Sequence, residues 1–326
     1  MINLLKKQRG ISLVEITISM FLGLLVVVAL VQVLISNHRL NHLQDEMSIL
    51  QENGRIAIEL LTRDIRAADN WGCLNADRVI RHVPAGHPLF LDIDSGLDGE
   101  NGEGGAADRL IVRGARMIPD VRIGTQSGPT APLPISGPGG TYVKEYVEDN
   151  KGLLLVTDCE SADLFVPTAA SEVSIVALTT GFSKAYQNHA FLYQPYQIEY
   201  FVEDNALFRR VNNENRDEIA DQIEAFEILY GEDTDVFPDG VANIFRPRNE
   251  LGDINRVVSV KINLMFHSGE NTGTGNQRVF FNWEERYGDG TGNPSTDSDS
   301  LQYPIDEDDT RLRRVFSSTI ALRNRT

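Results

Sequence analysis

The sequence predicts an α+β fold, one long N-terminal α-helix packed on a mostly antiparallel β-sheet head, and three observations lead to it. An apolar run extends from Ile11 to Ile35 with few polar interruptions, and no proline occurs before Pro84. Beyond Ile35, Leu40, Leu43, Met47, Leu50, Ala57, Leu61 and Ile65 recur at three- and four-residue steps or their sum, with charged and amide residues between them. That is the period of an amphipathic helix. After Trp71 the composition turns to Gly, Pro, Asn and Asp, with short β-branched and aromatic runs, the pattern of strands joined by turns.

The N-terminal segments follow in order. Residues 1–10, MINLLKKQRG, form a short basic leader with Lys6, Lys7 and Arg9 and no acid, so this end is expected to stay cytoplasmic while the rest is exported. Residues 11–35 are long and apolar enough to cross a bilayer but carry one carboxylate, Glu15. A charge there is costly, so it marks a partner or a function, and a neighbouring subunit's α-amino group is a fitting counter-ion. Residues 36–70 continue as an amphipathic, periplasmic part of the same helix. Counting Ile11 to about Asp69 as one helix gives a rod of ~85 to 90 Å. Gly54 interrupts its stripe and is a candidate bend. After about Gln51 the stripe is expected to face the chain's own head, and before it partner helices or solvent.

Residues 71–326 are expected to form one β-rich head. The clearest strand runs are Arg109 to Val112, Leu153 to Thr157, Val173 to Leu178, Gln197 to Val202, Leu207 to Val211, Phe226 to Tyr230, Val257 to Phe266, Val279 to Trp283 and Arg314 to Leu322. Glu203-Asp204-Asn205 reads as a hairpin turn. The segments Gly96 to Gly105, Gly124 to Gly140 and Tyr287 to Asp309 read as loops, the last acidic and flexible.

Arg9-Gly10 followed by Ile11-Ser12-Leu13-Val14-Glu15 resembles the class III signal of type IV pilins and type II secretion pseudopilins. The resemblance implies that a prepilin peptidase cuts after Gly10, that Ile11 becomes the methylated mature N-terminus, and that Glu15 sets subunit register. Ile11 stands where Phe is commoner, as in many minor pilins. In the head, Tyr196-Gln197-Ile198-Glu199-Tyr200-Phe201-Val202, Leu207-Phe208-Arg209-Arg210, Ile228-Leu229-Tyr230-Gly231 and Arg313-Arg314-Val315-Phe316 are similar to PilW-type minor pilins. More loosely, they resemble the J-type pseudopilins. The likeness implies a minor pilin acting by protein contact in type IV pilus assembly, in a priming or tip complex. Its partners would be other minor pilins, the major pilin, prepilin peptidase, the inner-membrane assembly platform and inner-membrane lipid. It would sit in the inner membrane of a Gram-negative bacterium with a periplasmic head, then in the pilus. A J-type pseudopilin of a secretion system and a tip adhesin are the alternatives.

Cys73 and Cys159 are the two cysteines, and in an oxidising periplasm they are expected to form one disulfide tying the head to the helix end, the alternative being two free thiols. The net charge of −17 excludes general nucleic-acid binding. A local basic cluster, Arg311, Arg313, Arg314, Arg323 and Arg325, reads as a solvated strand face or a subunit contact. Asp233, Asp235 and Asp239-Gly240 resemble a calcium loop in which Val236-Phe237-Pro238 adds two residues, leaving either a solvated turn or a calcium site. No cofactor is otherwise expected. His38 and His42 lack an accompanying metalloprotease pattern, the glycines among Asp98, Glu100 and Glu103 would repel phosphate, and no nucleophile elbow or P-loop occurs, so an enzyme is not expected.

Overall fold

The computed structural model describes residues 13–74, 76–83, 95–102, 106–149, 152–177, 181–212, 214–271 and 308–325. Gly10, Ile11, the expected strand Val279–Trp283 and the acidic loop up to residue 307 lie outside the described residues.

Helix α1 (Leu13–Arg66) is a single 54-residue rod, about 80 Å long at the α-helical rise. It ends where the last amides tighten onto carbonyls three residues back, Ala67 N on Asp64 O and Ala68 N on Ile65 O, both at 3.1 Å. Asp69 then takes a left-handed φ of 60°. Its amide donates to the Arg113 carbonyl at 2.9 Å, which passes the chain directly into the head.

The head begins with β1 (Val79–His82), β2 (Leu97–Glu100), β3 (Arg109–Met117), β4 (Arg122–Ile123), β5 (Leu133–Ser136), α2 (Gly139–Glu148) and β6 (Leu154–Thr157). It continues with β7 (Ala162–Phe165), β8 (Pro167–Ser171), β9 (Ser174–Ala177), β10 (Phe191–Glu203), β11 (Ala206–Val211) and β12 (Arg216–Ala220). The last strands are β13 (Ile223–Glu232), β14 (Ile244–Arg246), β15 (Val257–Asn271) and β16 (Arg311–Ala321).

The largest sheet runs β1-β7-β6-β10-β11-β12, and β3 pairs along the other side of β10 with β2 beyond it. A second sheet runs β14-β13-β15-β16, and a third β4-β5-β9-β8. Among the described strands only β1 and β7 pair in parallel, so the head is mostly antiparallel, as expected. The β10–β11 turn is the anticipated one: Asp204 and Asn205 have φ of 49° and 60°, the left-handed pair of a two-residue hairpin.

The main core joins the C-terminal part of α1 to both larger sheets. Leu50, Ala57, Leu61 and Ile65 meet Leu110, Val112, Ile198 and Leu207 from one sheet and Phe226, Val260, Ile262 and Ile320 from the other. A smaller core lies under α2, where Gly140, Val143 and Tyr146 recur every three residues as its buried face. The Gly124–Gly140 segment, expected to be a loop, therefore contains β5 and leads into a helix. Its consecutive glycines and prolines hide the helical period, and burial of Val143 and Tyr146 supplies what propensity does not.

Candidate functional site: the rod and its seat on the head

The first half of α1 presents a continuous apolar surface. Every large apolar residue from Leu13 to Ile35 is exposed, and the helix is long and apolar enough to cross a membrane. Glu15 lies in its first turn with its side chain also exposed. The exposure continues through Leu40 and Met47, and burial starts at Leu50. The division falls where the stripe was expected to pass from partner helices or solvent to the chain's own head.

From Leu50 onward the helix is seated between strands. Leu50, Gly54, Ala57, Leu61, Asp64 and Ile65 form one buried line. α1 runs through Gly54 unbroken. A Cβ there would stand 2.3 Å from the Phe316 ring of β16, so the missing side chain is what lets strand and helix approach. The same ring packs edge-on against Phe266 of β15, with centroids 5.8 Å apart.

Asp64 is the polar member of this line. Its Oδ2 accepts from the Tyr200 hydroxyl at 2.7 Å and from Arg209 Nε at 2.8 Å, while its Oδ1 accepts from Arg63 Nε at 2.8 Å. Burial alone would raise the carboxyl, but hydrogen bonds from Arg63, Tyr200 and Arg209 outweigh it and hold it below the ordinary carboxylate value. The same environment pushes the Tyr200 phenol up, chiefly by burial and then by the charge of Asp64.

A second lock closes the helix end. Arg325 Nε donates to Asp69 Oδ2 at 2.6 Å, and its other nitrogens reach Ser95 Oγ at 2.6 Å and the Ile254 carbonyl at 2.5 Å. Asp69 Oδ1 accepts from the Trp71 indole at 2.9 Å, and Asn324 Nδ2 donates to the Ala68 carbonyl at 2.8 Å. Just beyond, a disulfide joins Cys73 to Cys159, whose Cα atoms are 5.1 Å apart. It ties the segment after α1 to the end of β6.

The basic cluster is only in part the solvated face anticipated from alternation: Arg314 and Arg323 are exposed, while Arg311, Arg313 and Arg325 are held by acids of the chain itself. Arg313 is buried between Glu224, whose Oε2 lies 2.6 Å from its Nε, and Asp309. Arg311 also pairs with Asp309, at 2.7 Å, and Arg325 belongs to the lock just described. Nearby Asp309 and the distant Glu224 and Asp69 convert these three arginines into internal ties. Lower on the rod, His42 lies 3.5 Å from Glu270.

The structure brings Asp233, Asp235 and Asp239 together, with one oxygen of each within 4.8 Å of the others. Asp233 is buried and the other two are exposed. Asp233 accepts the amides of Asp235 at 3.1 Å and Gly240 at 2.9 Å. Burial raises its carboxyl, and these backbone bonds outweigh the burial and hold it below its usual value. The donor set suits a hard cation such as calcium. It equally satisfies itself as a turn.

Sequence reasoning missed Asp64, Tyr200, Arg209 and the internal role of Arg325. For Asp64 a signal was present: it falls three residues after Leu61, on the apolar stripe, where a carboxylate needs a partner.

The comparisons bear on the part of the head that grips the rod. The model of the family described as PilW, Type IV Pilus-assembly protein W, matches residues 199–324. The match covers the C-terminal half of the head. The matched segment begins in the last residues of β10 and includes β11 to β16, and so it supplies Tyr200, Arg209, Phe316 and Asn324, all of which touch the α1 seat or its end. Among solved structures, the type IV-like pilin TTHA1219 from Thermus thermophilus is similar over 86% of this chain and 96% of its own, with a TM-score of 0.36 and 12% identity. No curated protein matches the sequence.

Proposed function

We propose that the chain is a minor pilin acting by protein contact in type IV pilus assembly, in a priming or tip complex with other minor pilins. The observation that carries this reading is the joining, in one chain, of an exposed apolar half-helix to a head whose C-terminal half matches the PilW family model. The bare half of α1 is suited to lie first in the inner membrane and then among the helices of a filament, where it contacts the major pilin. The assembly platform and prepilin peptidase would act on the same end. Cleavage after Gly10 exposes the Ile11 amine for methylation, and Glu15 pairs with the corresponding amine of a neighbouring subunit to set axial register. A subunit that keeps Glu15 sits beneath another, because its carboxylate needs that partner.

Mass spectrometry of the membrane-extracted protein tests the processing. A mature form beginning at methylated Ile11 is expected, and an intact leader would overturn it. Gene deletion tests the role: loss of surface pili with normal protein export is expected, and the reverse outcome would make the chain a secretion pseudopilin. Normal piliation with lost surface attachment would favour a tip adhesin.

A further inference from the structure

The loop between β13 and β14 holds an apolar finger into solvent. Val236 is 89% exposed, Phe237 87% and Val241 61%, and Pro238 stiffens the tip. Single exposed apolar residues are ordinary, but three within six positions, one of them aromatic, form a patch.

The loop's base is tied at both ends. Asp233 N donates to the Arg256 carbonyl at 3.0 Å and Asn243 N to the Glu232 carbonyl at 3.0 Å. The Asp233 carboxylate receives the Asp235 and Gly240 amides, and Asn243 Oδ1 receives the Thr234 amide at 2.7 Å. Arg256 Nη2 reaches the Asp235 carbonyl at 2.5 Å. A finger held in one shape loses little entropy on docking, which is the advantage of preorganisation.

Its position selects the partner. The loop sits beside Arg256, and the neighbouring Ile254 carbonyl is bonded to Arg325 at the C-terminal end of α1. The opposite end of the same sheet lies against the lower rod, where the Gly269 amide meets Glu46 at 3.0 Å. With residues 13–35 in the bilayer, the finger is therefore at the far pole, about 45 Å of helix beyond Ile35. Asp235 and Asp239 flank it as exposed carboxylates, which disfavours an anionic lipid surface.

We infer that Val236 and Phe237 form a docking finger for another protein, inserting into an apolar pocket whose rim carries lysine or arginine facing Asp235 and Asp239. An aromatic anchor in a pocket with a complementary charged rim is the arrangement that concentrates binding energy at interfaces. This rests on the membrane-side placement of α1 proposed above.

The test replaces Phe237 in the full-length protein with photoreactive p-benzoylphenylalanine and irradiates intact cells, with the same residue at exposed Val173 as control. The expected result is a discrete protein adduct from position 237 but not from 173. Its cross-linked peptide maps to an apolar pocket bordered by basic residues, and its yield falls roughly fivefold when salt is raised to about 0.5 M in extracted membranes. No adduct above the control, an adduct to lipid, or one mapped to a polar or acidic surface would each overturn the inference. If the chain is recovered in sheared pili without such an adduct, the finger fails and the pilus reading stands. A mapped adduct to a pocket on a protein absent from pili supports the finger and sinks the pilus reading.

Discussion

The Asp64 carboxylate on the rod accepts a 2.7 Å hydrogen bond from the Tyr200 hydroxyl, 136 positions later in the chain. With Arg209 on the same oxygen, it makes the helix seat an ion pair as well as an apolar contact. Asp64→Asn leaves Arg209 without its counter-charge, and breaking a buried pair from one side costs about 3 to 5 kcal/mol. A clear drop in the melting temperature of the detergent-extracted full chain is expected. An unchanged value would mean the pair contributes nothing to the seat.

Acid should act through the same group. Because the folded-state carboxyl of Asp64 lies below its ordinary value, its contribution is complete above the unfolded carboxylate range, about 3.9, and is lost as pH falls through the folded value. Melting curves of the wild-type protein and Asp64→Asn should therefore converge as pH drops below about 4. Curves that stay parallel would assign the acid sensitivity to other carboxylates.

Gly54→Ala should destabilise even though alanine is the better helix former by up to about 1 kcal/mol. The new methyl meets the Phe316 ring, and overpacking a contact of this kind costs about 1 to 3 kcal/mol. In Phe316→Ala the same glycine substitution should become neutral or favourable. A double-mutant cycle reads the difference, and strict additivity would separate the two residues.

Removing the disulfide by Cys73→Ser releases a crosslink between residues 86 apart. In the chain-entropy account that costs up to ~4.5 kcal/mol. Chemical denaturation under oxidising conditions should show the loss, and reduced wild-type protein should match the variant. Equal stability of variant and oxidised wild type would leave the bond without a stabilising role.

Arg325→Lys should fail to rescue the second lock. Arg325 serves Asp69, Ser95 and the Ile254 carbonyl with three different nitrogens, and a lysine offers a single point of charge in place of that fork. Hydrogen exchange at residues 66–71 should accelerate in both Arg325→Lys and Arg325→Ala. Full protection in the lysine variant would reduce the lock to simple charge neutralisation.

What could be read from the sequence divides by range. The apolar run, the stripe to Ile65 and the turn at Asp204-Asn205 declare themselves within a few residues, because period and left-handed turn chemistry are local. The distant partners of Asp64, Asp69 and Arg313, namely Arg209, Arg325 and Glu224, do not, since ion pairs across tens to hundreds of positions leave no local pattern. Gly54 was visible as an anomaly, but its cause is a ring 262 positions away. The helix α2 was hidden by Gly139-Gly140 and the neighbouring prolines, and only burial of Val143 and Tyr146 explains it.

Phe316, which fills the space beside Gly54, belongs to the final strand of the chain. During synthesis the rod is made first and the strand that covers it last, so nearly the whole head must be made before Leu50, Leu61 and Ile65 are enclosed. Contacts of such high order fold slowly. The newly made chain consequently passes through an interval in which both halves of its rod are bare, and a chaperone that arrives then meets a longer apolar surface than the finished protein offers.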